Sequence, residues 1–206
     1  MASIIKVNKI SPYSGTDVTL GNSGDSFSIP AGAAITNSGT ATGFGGGKVV
    51  KVSSVTDATR TAVSASGATR LEIAGLELTH TAASTSNRLL FMAQITGAEA
   101  ATSWYADFWN KTTSAFPVGA VADAAGSRNR VTSKQGSNST SWGNTIPMIA
   151  WITPPDTNAN TYVVRMGTHS GTGKYNSNGN AADSSSADDS TQQSSFTIME
   201  IDSTIV

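Results

Sequence analysis

From Lys48 onward the sequence is a succession of short β-branched and aromatic runs, each cut off by Gly, Pro, Asn or Ser. KVVKVSSV (48–55), RLEIAGLELTH (70–80), NRLLFMAQI (87–95), SWYADFWN (103–110), SAFPVGAV (114–121), RNRVTS (128–133), IPMIAWI (146–152), TYVVRM (161–166) and SSFTIMEI (194–201) have the composition of strands. No stretch of helical length combines a 3.6-residue apolar period with caps. The pattern predicts one all-β domain over residues 48–206 with about eight to ten strands, the size of an antiparallel sandwich or jelly roll.

Two of these runs break the rule that a half-wet strand alternates. Leu89-Leu90-Phe91-Met92-Ala93 and Met148-Ile149-Ala150-Trp151-Ile152 are apolar at both odd and even positions. Something must cover their second face, and a small domain has little material left to do so. A long loop is one cover. A subunit interface is the more economical one, so homo-oligomerisation is expected.

Residues 1–47 have a different texture. Short pulses with period two (Ile5–Val7, Val18–Leu20, Phe27–Ile29, Ala33–Ile35) suggest short strands between turns such as GNSGD and IPAG. VTLGNSGDSFSIPAG (18–32) aligns with AAITNSGTATGFGGG (33–47) without gaps, setting Leu20 over Ile35 and Asn22-Ser23-Gly24 over Asn37-Ser38-Gly39. A unit so poor in apolar residues cannot bury a core alone. It reads either as a fibrous trimeric stem, in which identical chains supply the other sides, or as an irregular extended arm. GFGGG (43–47) reads as a hinge rather than a phosphate cradle, because no strand-to-helix context surrounds it.

Charge narrows the function classes. Only 13% of the 206 residues are charged, against about 25% in an ordinary soluble domain. With Lys+Arg 13 against Asp+Glu 14 and no long basic run, the footprint of a nucleic-acid binder is missing. Cysteine is absent, which removes disulfides and Cys-based metal sites. No apolar run approaches a membrane span, and MASIIKVNKI lacks the apolar region of a signal peptide. A surface kept soluble by Ser, Thr, Asn and Gly suits a chain that packs against its own copies or a larger assembly.

No motif builds a catalytic constellation. His80 and His169 are isolated, without metal-ligand spacing, and read as surface or interface residues. GTHSGTGKY (167–175) misses the phosphate-loop pattern at Thr168 and Tyr175. Glu72 and Glu77 alternate with Leu71, Ile73, Leu76 and Leu78 on the solvent side of a strand, and with Glu99 and Asp107 they make no acid–base pair. Asp183, Asp188 and Asp189 lie in a polar loop without calcium-loop spacing. Arg128, Arg130 and Lys134, the one basic cluster, read as a solvated strand, with lipid or glycan phosphate as the alternative. Aromatics stack on sugars, but those alternating along SWYADFW read as core, so Trp104 and Trp109 are assigned there and Trp142 is left open. The expectation is a non-enzyme with no catalytic, cofactor-binding or metal-binding residues.

The segment IIKVNKI…GTDVTLGNSGDSFSIPAGAAITNSGTATGFG resembles the opening of short tail-fibre-like proteins of marine bacteriophages, especially those of cyanobacteria and other aquatic hosts. LEIAGLELTHTAASTSNRLLFMAQI, VGAVADAAGSRNRVTS, NTYVVRMGT and SSFTIMEI follow in the order of their C-terminal domain. The Asp123–Arg128 run and SSFTIMEI carry the most specificity, and residues 96–116 match little.

The resemblance implies a virion structural protein. Its head, residues 48–206, is then a trimeric tumour-necrosis-factor-like jelly roll, with Phe196, Ile198 and Met199 in core and intersubunit packing. Residues 1–47 become an anchor or stem docking to other virion proteins. Within that class the protein is a tail-fibre or baseplate protein touching a host glycan or outer-membrane receptor through loops 96–103, 134–145 and 170–195, or a capsid decoration protein. A glycan depolymerase is disfavoured by the missing carboxylate pair.

Overall fold

A computed structural model of the chain describes residues 10–26, 28–33, 36, 49–59, 61–63, 69–99, 103–136, 143–169, 173–178 and 190–203. The chain divides into two compact units, Met1–Gly46 and Gly47–Val206. The described residues of the first unit form turns and no strand. Asn22 and Asp25 close one turn reciprocally: the Asp25 amide donates to the Asn22 carbonyl (3.0 Å) and the Asn22 amide to the Asp25 carboxylate (2.6 Å). The strand expected at Val18–Leu20 does not form, and both residues are exposed. A period-two pulse in so apolar-poor a segment has nothing to pair with in its own chain. GFGGG and most of the second repeat lie outside the described residues.

The second unit runs β1 (Val49–Asp57), β2 (Thr61–Val63), β3 (Leu71–Thr81), β4 (Arg88–Glu99), β5 (Ser103–Asn110), β6 (Ser133–Gly136), β7 (Gly143–Ile152), β8 (Ala159–Thr168), β9 (Gly173–Tyr175), β10 (Ser177–Asn178), β11 (Ser190–Thr191) and β12 (Ser194–Ile201). Among the described residues there is no α-helix. The long strands coincide with the β-branched runs. SAFPVGAV and RNRVTS do not: they fall in the loop joining β5 to β6, apart from Ser133, which begins β6, and Pro117 and the positive-φ Gly119 turn that loop away from any ladder.

All pairings are antiparallel. One sheet has the order β1-β12-β4-β7, with β9 and β2 taking over the β12 and β1 positions at the far end of β4. The other has the order β3-β8-β5-β6. The chain crosses from one sheet to the other between β2 and β3, β3 and β4, β4 and β5, β6 and β7, β7 and β8, and β8 and β9, as in a jelly-roll-like sandwich. β1 and β2 share a sheet, β5 pairs with β6, and β10 pairs with β11 in a small separate ladder. Between the sheets, Phe91 meets Phe108, Tyr162 and Phe196 edge-on at ring separations of 5.3, 4.9 and 5.4 Å. This cluster ties β4 and β12 of one sheet to β5 and β8 of the other, and its burial supplies the apolar driving force that the charge-poor surface does not.

Cross-strand register sorts the two-faced strands. Val55, Phe196, Ala93 and Met148 form one row and Ser53, Ile198, Phe91 and Ala150 the next. Met148, Phe91, Phe196 and Ile198 are buried in the core. The intervening rows, Val52-Met199-Leu90-Trp151 and Ser54-Thr197-Met92-Ile149, point to the opposite side.

Candidate functional site

Three places concentrate the chemistry of the described residues. The first is the outer face of the β1-β12-β4-β7 sheet. Its Val52-Met199-Leu90-Trp151 row is wholly apolar, and Ile149 (68% exposed), Val52 (55%) and Trp151 (41%) lie open. The face turns polar along the strands, through Ser54 and Thr197 to Thr56, Ser195 and Gln94. The apolar end is a contiguous patch of the kind that marks a contact surface. Of the residues expected to serve both core and interface, Phe196 and Ile198 are core, while the half-buried Met199 lies on this outer face.

The second is the outer face of the other sheet. Tyr105, Asp107 and Trp109 alternate along one side of β5, and Arg165 of β8 stands opposite Asp107 in register. Asp107 is fully buried there and pairs with Arg165 (2.8 Å) and Arg70 (2.8 Å). Burial pushes its carboxyl up, against the pull of the Arg165 and Arg70 guanidiniums. The Arg165 guanidinium stacks 3.7 Å from the centre of the Trp109 ring, and Phe116 meets Trp109 edge-on at 5.3 Å. Trp109 is therefore half-buried outside the core, whereas Trp104 is core as expected. The alternation along β5 was visible; which side faced inward was not, because both sides carry aromatics.

The loop after β5 folds over this face and is fastened at several points. Thr132 donates its amide to the Ala106 carbonyl (3.0 Å) and its hydroxyl to the Ala120 carbonyl (2.7 Å), and the Thr153 amide donates to the Val118 carbonyl (3.2 Å). Between the loop and β5 lies an open pocket of about 510 Å³ whose walls include Trp109, Phe116, Pro117, Gly119, Asp123 and Arg130. Arg130 donates from Nε to the Ala122 carbonyl (2.7 Å) and leans over Phe116. It is thus part of a fastened loop and not of a solvated strand. Lys134 lies over the Tyr105 ring, and Tyr105 Oη is 3.2 Å from His169 Nδ1 at the exposed end of β8. On the β3 edge, Glu72 and Glu77 share Lys111 at 3.2 and 2.6 Å.

The third is buried. His80, expected at the surface or an interface, is only 1% exposed and stands 3.1 Å from Glu200. Glu200 also accepts from the Asn87 side chain (2.6 Å) and the Ala83 amide (2.7 Å). Burial pulls the His80 pKa below its usual value, against the attraction of Glu200. For Glu200 burial works the other way, but the hydrogen bonds from Asn87, Ala83 and His80 outweigh it and hold the carboxyl below its ordinary value. The cluster clasps β3, the turn before β4 and the last strand.

Among the described residues no three His, Cys, Asp or Glu side chains gather to hold a metal ion. Nor is any helix there long and apolar enough to cross a membrane. Gly173–Tyr175 is strand β9, so the phosphate-loop-like run leads into no helix. Trp142, Asp183, Asp188 and Asp189 lie outside the described residues, as do residues 100–102, 137–142, 170–172 and 179–189 of the three expected contact loops. The described stems of those loops meet at one end of the sandwich: Ala98 pairs with Gly143 and Lys174, Ser103 pairs with Gly136, and the His169 amide donates to the Ser103 carbonyl (2.8 Å). The Trp109–Arg130 pocket is at the opposite end of β5.

The chain matches no protein-family model and no curated protein.

Proposed function

We propose that this chain is a bacteriophage virion structural protein: a tail-fibre or baseplate-associated homotrimer whose head contacts the host surface. The reading joins the resemblance of its segments to marine-phage tail-fibre-like proteins with one structural observation, the open apolar row Val52-Met199-Leu90-Trp151 on a jelly-roll-like sandwich. An apolar sheet face on a charge-poor monomer is stabilised when copies of itself cover it. Three heads then share that face, the N-terminal unit docks to other virion proteins, and the loop stems gathered at the far end present several weak contacts at once.

Immunogold labelling of the particles that carry this gene tests the placement. Label at the tail or baseplate in few copies is the expected result. Dense label over the capsid would make the chain a decoration protein instead, and unlabelled intact particles would overturn the virion assignment.

A further inference from the structure

We infer that the turn at 117–120 of one chain seats in a groove on a second copy, walled by Met92, Gln94, Pro147, Ile149, Ser195 and Thr197, so that Val118 is a contact residue between heads. The inference deepens the reading of the head as a homotrimer and rests on it. Val118 is the most exposed large apolar side chain among the described residues of the second unit, at 72%. It occupies a turn tip, where Gly, Pro, Asn, Asp and Ser are the ordinary residues. The Ala120 amide donates to the Pro117 carbonyl (2.9 Å) and closes the turn, with Gly119 at φ +94° in its third position. The Thr153 amide holds the Val118 carbonyl (3.2 Å), and a Cβ on Gly119 would strike the Trp151 carbonyl. Val118 is thus fixed in the open before any partner arrives, and little ordering cost remains.

The groove supplies what that turn lacks. It lies on the outer face of the β1-β12-β4-β7 sheet, where the Ser54-Thr197-Met92-Ile149 row gives way to Thr56-Ser195-Gln94-Pro147. Its volume, about 240 Å³, is below the range of about 300–1,000 Å³ for small-molecule sites and suits one protruding side chain with its turn. Met92, Pro147 and Ile149 offer an apolar wall, and Gln94, Ser195 and Thr197 offer side-chain acceptors. The Val118 and Gly119 amides need acceptors once buried, because neither has a partner among the described residues. No charged residue stands in the turn or lines the groove, so an ionic partner would find nothing to pair with.

Both halves belong to one sequence, yet they cannot meet within a chain. The turn is fastened beside Trp151 and Thr153, whereas Pro147 stands four residues before Trp151 on the same extended strand, about 13 Å away. A second copy is the partner that carries the missing half. Turn and groove are different surfaces, the first at the β7 edge of the sheet and the second on its face. The contact is therefore heterologous, and it generates a ring where its rotation closes. Ile149 joins the groove to the apolar outer face, so turn, groove and the Val52-Met199-Leu90-Trp151 row act as one surface.

Cysteine placement tests the contact, because the chain has no cysteine of its own. The full chain carrying both Val118→Cys and Thr197→Cys is treated with a short bis-maleimide and run on a denaturing gel beside each single variant. Covalent dimers and trimers from the double variant, with both single variants left monomeric, are the expected result. Val118→Asp gives the second readout: its thermal melt should match wild type, while assembly weakens about a hundredfold or more in sedimentation. A double variant that stays monomeric on the gel, single variants that cross-link as readily as the double, or undiminished assembly of folded Val118→Asp would overturn the contact. A trimer by light scattering without the cross-link would remove the contact and keep the trimer. The cross-link in a chain that labels no particle would keep the contact and remove the virion reading.

Discussion

Met148 and Ile149 are adjacent on β7 and face opposite environments: Met148 is 1% exposed in the core, and Ile149 is 68% exposed on the outer face of the same sheet. The pleat alone separates them. Two residues that look equivalent in an apolar run therefore have different tasks, one in holding the sandwich together and one in what the sandwich touches.

An aspartate at each position should fail differently. Met148→Asp places an unpaired charge in the core and costs several kcal/mol (about 3–5), so the thermal transition should fall sharply or vanish. Ile149→Asp should leave the melt of the isolated head within about 1 kcal/mol of wild type while abolishing self-association in sedimentation. A folded Ile149→Asp chain that still assembles would remove this face from the interface.

Gly119 sits at φ +94°, and a Cβ there would collide with the Trp151 carbonyl. Gly119→Ala should cost about 1–3 kcal/mol, measured by urea denaturation, because neither the turn nor β7 can yield without losing the bond from Thr153 to Val118 (3.2 Å). An unchanged midpoint would show that the loop is not fastened as described.

Asp107→Asn would remove the carboxylate that Arg70 and Arg165 share. A loss of about 3–5 kcal/mol in unfolding free energy is expected. Stability within 1 kcal/mol of wild type would mean that the two guanidiniums find other partners and that Arg165 is not held on Trp109 by this pair.

Stability should fall with acid in two stages. In the unfolded chain His80 takes up a proton near its ordinary value of 6.5, whereas burial keeps the folded ring neutral to lower pH. Between those values the unfolded state binds more protons, so lowering the pH destabilises the fold. Glu200, held below its ordinary 4.5, adds a second loss below that pH. The melting temperature should decline as the pH falls below 6.5 and decline further below 4.5. His80→Gln should flatten the first stage; a wild-type melting temperature that does not fall between pH 6.5 and pH 4.5 would contradict the assignment.

Local pattern carried the long strands well. SWYADFWN is β5 to the residue, and SSFTIMEI is β12, because β-branched and aromatic runs with clear turn boundaries leave few alternatives. It carried the loop after β5 poorly. Phe116, Val118 and Val121 have strand composition, but Pro117 and Gly119 turn the chain so that Phe116 meets Trp109 on the outer sheet face while Val121 packs against the core, and composition does not distinguish a strand from an apolar loop that packs on one. The buried charges were not legible at all. His80 meets Glu200 across 120 residues and Arg165 meets Asp107 across 58, so no spacing rule joins them. The pocket shares that cause: only the loop after β5 brings Asp123 and Arg130 beside Trp109.

The most direct measurement is the mass of the full-length chain in solution by light scattering, alongside a chain beginning at Lys48. A mass near three times 21.1 kDa for the full chain, with the shorter chain still trimeric, is the result expected if three heads share the Val52-Met199-Leu90-Trp151 face. A monomer from both chains would contradict it.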